Sequence, residues 1–180
     1  YSNLGWNFFQ NSNISLFARN DKHKQTRKNN TYKLNFDQKF SNINLGVSYM
    51  NGLRNPTLYE MFGTDNFGYS GNRNLKPEKS NTFEIYSNIV INENFSLSSR
   101  AFKANLKNNI EYISNKYQND TDNIDLNQSG VNNQFNIKLK NTRIDLFSSF
   151  LSSKKENSAD QLRRPEKNYG FNFTKKLNNS

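Results

Sequence analysis

Apolar and polar residues alternate with a period of two along most of this chain, and repeated alternation of that kind confines it to amphipathic β-strands. Successive side chains of a strand point to opposite faces, so each such segment carries one greasy and one wet face. Tyr32, Leu34 and Phe36 alternate with Lys33, Asn35 and Asp37, and Ile43, Leu45, Val47 and Tyr49 with Asn44, Gly46 and Ser48. Phe83, Ile85, Ile89 and Ile91 stand against Glu84, Tyr86 and Asn88, and Phe135, Ile137 and Leu139 against Asn136, Lys138 and Lys140. Helical spacing fits none of these segments. Only 33% of the residues are hydrophobic and the mean hydropathy is −0.99, too thin for a closed core of ordinary make-up. The 14% of aromatic residues argue against disorder, because disordered chains have nowhere to bury rings.

Nine strands are expected, at about Asn3 to Phe9, Asn13 to Asn20, Asn30 to Lys39, Asn42 to Met50, Asn81 to Ile91, Asn94 to Leu106, Asn127 to Leu139, Thr142 to Ser152 and Arg164 to Lys175. Connections near Gln10 to Ser12, Phe40-Ser41, Asn92-Glu93 and Lys140-Asn141 are minimal. Those at Asp21 to Asn29, Asn51 to Ser80, Lys107 to Leu126 and Ser153 to Arg163 are long, and the two kinds alternate. In an up-and-down barrel every odd connection lies at one end and every even one at the other, which makes this the pattern of short periplasmic turns and long extracellular loops. The chain has no apolar run of about 18 residues that a membrane helix would need, but a barrel strand needs only about 9 to 11 with every second one apolar. The expected fold is therefore all-β, an antiparallel up-and-down transmembrane β-barrel. Nine strands are odd and would leave two open edges in lipid, so residues 1–180 are expected to be one partial barrel domain of about nine strands.

Particular residues extend this reading. Leu53-Arg54-Asn55-Pro56-Thr57-Leu58-Tyr59-Glu60-Met61-Phe62-Gly63, after the strand ending Gly46-Val47-Ser48-Tyr49, resembles the loop-opening Arg-small-Pro-Thr-Leu-Tyr-Glu run of TonB-dependent receptors, with Asn55 in place of the small residue. Gly71-Asn72-Arg73-Asn74-Leu75-Lys76-Pro77-Glu78-Lys79-Ser80 is similar to the family's Gly-Asn-x-x-Leu-x-Pro-Glu-x-Ser entry into the next strand. Pro77 fixes its own φ and drives Lys76 extended, so the chain enters that strand straight. Ser129-Gly130-Val131 resembles the family's Gly-Val-Glu, with Asn132 at the acid's place, and Arg163-Arg164-Pro165 resembles its Arg-Pro pair. The resemblance implies a 22-stranded barrel with an N-terminal plug, a nutrient captured by extracellular loops and uptake driven by an inner-membrane complex through a TonB box. Cobalamin, siderophore and haem receptors are the nearest branches. Plug, TonB box and the final strands are not expected in this stretch.

Such a protein binds and transports, so no catalytic residue is expected and no nucleophile elbow, P-loop or dinucleotide glycine pattern is found. Neither a cofactor nor a metal site is expected. His23, the single histidine, sits between Lys22 and Lys24, where cations oppose a metal ion, and reads as a solvated loop residue. Asp120, Asp122 and Asp125 lack the Gly and final Glu of an EF-hand loop and read as a polar loop tip. Tyr59, Phe62, Phe67 and Tyr69, with Asn66 and Asn72, are the candidate ligand-facing surface, since rings supply contact area and amides adaptable hydrogen bonds. Packing of the loop on itself explains the same residues. Asn35, Asp37, Asn44, Glu84, Asn136, Lys138 and Asp145 are expected to line a wet lumen or meet a plug.

The net charge of +10 calls for anionic company. Arg19, Lys22, Lys24, Arg27 and Lys28 fall on an expected extracellular loop, where they either contact phosphates of outer-leaflet lipopolysaccharide or are simply solvated. Nucleic acid is not an expected partner, because Lys and Arg scatter instead of sharing one aromatic-rich face. The leading expectation is TonB-dependent active transport of a scarce nutrient (cobalamin, haem or ferric siderophore) in the outer membrane of a Gram-negative bacterium, with membrane lipid, a small nutrient and the TonB complex as partners. A passive porin or adhesin barrel shares the architecture without energy coupling. A soluble basic β-protein binding nucleic acid or glycan is a third reading, separated by extraction without detergent. The chain has no Cys, which rules out a disulfide framework and a thiolate metal site; with no signal peptide at Tyr1 to Leu4, it is expected to be mature or a fragment.

Overall fold

The computed structural model describes residues 2–7, 9–23, 27–119, 126–155 and 165–177. Its elements in chain order are β1 (Ser2–Asn7), β2 (Ser12–His23), β3 (Arg27–Phe40), β4 (Ile43–Arg54), α1 (Leu58–Phe62), β5 (Glu78–Val90), β6 (Phe95–Lys107), β7 (Ile110–Ile113), β8 (Lys116–Asn119), β9 (Leu126–Leu139), β10 (Thr142–Lys155) and β11 (Lys167–Lys175). Nine strands form one sheet in the order β1-β2-β3-β4-β5-β6-β9-β10-β11, each antiparallel to its neighbours, while β7 and β8 pair with each other. This is an up-and-down meander with no crossover. Ser41 (φ 37°) and Lys140 (φ 39°) take positive φ in the two-residue turns that join β3 to β4 and β9 to β10.

The register sorts side chains cleanly. Residues directly opposite one another share a face, and Leu4, Leu16, Leu34 and Tyr49 are linked across four strands in this way. Further on, Ile89, Leu97, Phe135, Leu146 and Phe171 form a row across five. Leu34, Phe36, Val47, Phe83, Ile85, Leu146 and Phe171 are all exposed on this apolar face. The other face carries Asn35, Asp37, Asn44, Glu84, Asn136, Lys138 and Asp145, the residues expected to share a wet surface. There the Tyr86 hydroxyl donates to Asp37 Oδ1 at 2.5 Å, Ser48 Oγ donates to Glu84 at 3.2 Å and Arg143 Nε meets Asp145 at 2.9 Å. Gly46 permits this packing, because a Cβ at that position would enter the Tyr86 ring.

Four polar residues, Ser87, Ser99, Asn133 and Ser148, form a row that interrupts the apolar face in mid-strand. Ser99 Oγ donates to Asn133 Oδ1 at 2.7 Å, and Asn133 Nδ2 donates to Ser148 Oγ at 3.3 Å, so three of the four are joined to one another. The buried apolar residues are few and do not underlie the sheet: Met61, Tyr69, Leu75, Ala104 and Leu126 lie at the long-connection end. Burying a large apolar side chain is worth about 1.5–3 kcal/mol, and the broad face of the sheet forgoes that gain in water.

Three of the long connections carry regular structure of their own. The loop expected at Asp21 to Asn29 is mostly strand, with pairing that continues from Asn20↔Asn30 to His23↔Arg27. Apolar alternation ends at Ala18, but backbone pairing needs no apolar side chain, and the Asn20 amide bridges to Asn30. The long connections are also structured: α1 sits in one, and the β7–β8 hairpin in another, with Ser114 (φ 49°) and Asn115 (φ 61°) forming its tight turn.

Candidate functional site

The site is assembled by the segment from Arg54 to Glu78 and the β7–β8 hairpin. Pro56 and Thr57 open the short helix α1, where Thr57 accepts from the Glu60 amide at 3.1 Å and Glu60 accepts from the Thr57 amide at 2.7 Å, a reciprocal capping box. Arg54, at the end of β4, reaches two carboxylates. Its Nε and Nη2 contact Glu78 at 2.5 and 3.1 Å, and its Nη1 contacts Glu60 at 3.1 Å. Glu78 also accepts from the Ile110 amide at 2.8 Å, so one guanidinium holds the helix, the start of β5 and the hairpin together. Hydrogen bonding to Glu78, against the opposing effect of burial, raises the Arg54 guanidinium above its ordinary value. Burial pushes the Glu60 carboxyl up, but the Thr57 amide and the Arg54 guanidinium outweigh it and leave the group below its ordinary value.

This shift sets a pH dependence. A carboxyl that titrates lower in the folded than in the unfolded state stabilises the fold above its unfolded value of 4.5, and loses that contribution as pH falls through the folded value. Deuterium uptake in peptides covering 55–77, corrected for intrinsic exchange, is expected to accelerate below about pH 4.5 while β4 and β5 stay protected. Glu60→Gln is expected to flatten that dependence.

A tyrosine cluster completes the join. Tyr69 is only 4% exposed; it stacks on Tyr59 at 4.8 Å, meets Tyr117 edge-on at 5.7 Å and donates its hydroxyl to the Tyr59 carbonyl at 2.6 Å. Tyr112 packs against Tyr117 at 5.0 Å. Asn72 donates to the Tyr117 carbonyl at 3.1 Å, and Asn119 bridges Lys76 and Asn108. Gly71 is required here, because a Cβ would collide with the backbone of Met61 and Phe62. Lys155 Nζ of β10 pairs with Glu111 at 2.9 Å and anchors the hairpin to the sheet.

Of the six candidate ligand-facing residues, Tyr69 and Asn72 are engaged in this internal packing, Tyr59 stacks on Tyr69 with one side of its ring still open, and Phe62, Asn66 and Phe67 face solvent, Phe67 at 90% exposure. Arg73 lies over the Phe62 ring at 5.3 Å. Among the motif residues, Arg54, Thr57, Glu60 and Glu78 form the ionic and capping network and Leu75 is buried beneath the loop. The Pro77 carbonyl accepts from Asn108 at 3.3 Å, and Ser80 fills the space a Cβ on Gly52 would take. Leu58 is exposed, and Pro56 half-buried. Asn55 Oδ1 is buried with no hydrogen-bond partner among the described residues, the consequence of an amide where the motif has a small residue. Pro165 is exposed just before β11, while Arg164, Lys24 and Asp120, Asp122 and Asp125 lie outside the described residues. The structure adds Tyr112, Tyr117, Glu111, Asn109 and Asn119, which alternation alone did not mark. The Ser114-Asn115 pair between two short alternating runs is the signal that would have found their hairpin.

Long meandering strands with a continuous apolar face, a polar face of ion pairs and a structured cap at one end define the wall of a transmembrane β-barrel. No helix among the described residues is long and apolar enough to cross a membrane. The chain belongs to the family described as TonB dependent receptor-like, beta-barrel, whose model matches residues 1–177. Proteins of this family are outer-membrane proteins of Gram-negative bacteria.

Similar solved structures include the copper transporter OprC, at 13% identity and a TM-score of 0.72 over 98% of this chain and 33% of that one. The siderophore receptor PirA from Acinetobacter baumannii is 15% identical, with a TM-score of 0.75 over 95% of this chain and 30% of that one. The FrpB iron transporter from Neisseria meningitidis is 12% identical, with a TM-score of 0.60 over 84% and 25%. This chain therefore spans about a third or less of the structures it matches. No curated protein sequence matches it.

Proposed function

We propose that this chain is the wall and loop cap of an outer-membrane receptor that takes up a scarce, metal-bearing nutrient, driven by TonB through a plug domain encoded elsewhere in the protein. The observation that carries the reading is the cap: exposed Tyr59, Phe62 and Phe67 with Asn66 stand on a loop that Arg54, Glu60 and Glu78 hold rigid. Rigid aromatic surface with adjacent amides suits a chelate of mixed polarity at low ordering cost. The named cargoes of the neighbours, copper, siderophore and iron, share that chemistry with haem and cobalamin.

The test is equilibrium binding to the full-length receptor in detergent, comparing cobalamin, haem, a ferric siderophore and copper. One of these is expected to bind, and Tyr59→Ala with Phe67→Ala to weaken it by about 10- to 100-fold, the range of removing interface anchors. Unchanged affinity in that double variant would overturn the role of the cap.

A further inference from the structure

The apolar face of the sheet carries a hydrogen-bonding seam where hydrocarbon offers it no partner. Ser87, Ser99, Asn133 and Ser148 stand directly opposite one another across β5, β6, β9 and β10, each half-buried. The rows on either side are apolar on all four strands, with Ile89, Leu97, Phe135 and Leu146 toward the short turns and Ile85, Ala101, Val131 and Phe150 toward the cap. The seam is therefore not a polar rim of the apolar band, since it crosses the middle of it. Inside the seam, Asn133 gives one amide hydrogen to Ser148 at 3.3 Å and accepts at its amide oxygen from Ser99 at 2.7 Å. A carboxamide has two donors and two acceptor lone pairs, so among the described residues Asn133 keeps one of each. Lipid supplies no partner for them, and a polar group left unpaired there costs stability.

A second copy of the chain supplies the missing partner. Closed homodimers are built on a two-fold axis, and in a membrane that axis runs along the normal, so every residue meets its copy at its own depth. Barrel strands tilt by about 35–45°, which inclines the seam, and an inclined seam crosses its own copy at one point on the axis. Asn133 and Ser99 occupy the middle of the seam. A crossing there sets two carboxamides side by side, each donating one N–H and accepting one, as a polar residue does when it specifies pairing in an otherwise apolar interface. We propose that the seam from Ser87 to Ser148 is the centre of a homodimer interface within the membrane, with Asn133 bonded to its counterpart and Leu97, Phe135, Val131 and Phe150 packed around the pair. Association in lipid is driven by packing and hydrogen bonds, not by the hydrophobic effect, and the seam offers both. The inference rests on the membrane-wall reading and goes beyond uptake.

The experiment reconstitutes the full-length receptor in phosphatidylcholine vesicles over a range of lipid-to-protein ratios and counts subunits per particle by single-molecule photobleaching. The wild type is expected to pass from monomer to dimer as the ratio falls. Asn133→Val, which makes the apolar face more apolar, is expected to move that midpoint to about tenfold higher protein density, the weight of a pair of hydrogen bonds in lipid. In native outer membranes, a benzophenone label at Ser99→Cys is expected to capture a second receptor, and one at Leu34→Cys, exposed on the same face four strands from β9, is not. A wild type that stays monomeric at every ratio overturns the proposal whatever the variants do, as does an unchanged midpoint in a folded Asn133→Val receptor. Equal capture from position 34, or capture of a different protein from position 99, overturns the second copy as occupant. A receptor recovered without detergent overturns the membrane-wall reading itself, and a dimer that binds none of the four nutrients overturns the uptake reading alone.

Discussion

Phe135→Arg is expected to destabilise the inserted barrel by about 2–4 kcal/mol, while Gln134→Arg, one residue away, is expected to change it by less than about 0.5 kcal/mol. The contrast follows from register. Phe135 stands between Leu97 and Leu146 and stacks at 6.0 Å on Phe95, in the middle of the apolar face. Gln134 points the opposite way, with its amide on Asn136 at 2.9 Å among other polar groups. A guanidinium at position 135 would have to be held in hydrocarbon or snorkel past several apolar rows, whereas at 134 it joins a surface that already hosts Arg100 and Glu84. Denaturant unfolding of the full-length receptor in lipid vesicles reads both variants. Equal costs would mean that the faces are assigned the wrong way round or that neither meets lipid.

Arg54→Ala has the second largest expected effect, and it is local. It strands two carboxylates, of which Glu60 is only 8% exposed, and it cuts the tie from β4 to both α1 and β5. Breaking a fully buried pair costs about 3–5 kcal/mol; because the Arg54 side chain is 43% exposed, solvent screens part of that, and about 2 kcal/mol is expected. Exchange of amides in the cap, including Asn72 bonded to the Glu60 carbonyl and Ile110 bonded to Glu78, should then quicken by roughly 30-fold. The wall strands should not change. Arg54→Lys is expected to recover only part of the loss, because an ammonium cannot span two carboxylates with the guanidinium's fork.

How far such features are legible from residues alone varies along the chain. Tyr32 to Asp37 and Ile43 to Tyr49 announce their strands and their faces, because a period of two has no other regular reading and a one-residue slip would invert every side chain. The extension of β2 and β3 past Ala18 is not announced: Asn, Lys and Arg are equally at home in a loop, and only the pairing partner makes them strand. Arg54, Glu60 and Glu78 stand out as a motif, yet the six and twenty-four residues that separate Arg54 from its two partners say nothing about their meeting. Tyr69 reads equally well as a ligand contact and as packing, and the choice depends on Tyr112 and Tyr117 arriving from another connection.

The sequence by itself determined that this chain is a set of two-faced strands whose apolar side needs a non-aqueous medium, since alternation sets facing residue by residue and is local. Tertiary structure alone decided which polar groups meet. Whether Lys79 faces Lys107, whether Asn105 faces Asn127, and whether one guanidinium joins a helix, a strand and, through Glu78, a hairpin all depend on inter-strand register and loop closure. Those are fixed by pairings between residues far apart in the chain, and no local periodicity encodes them.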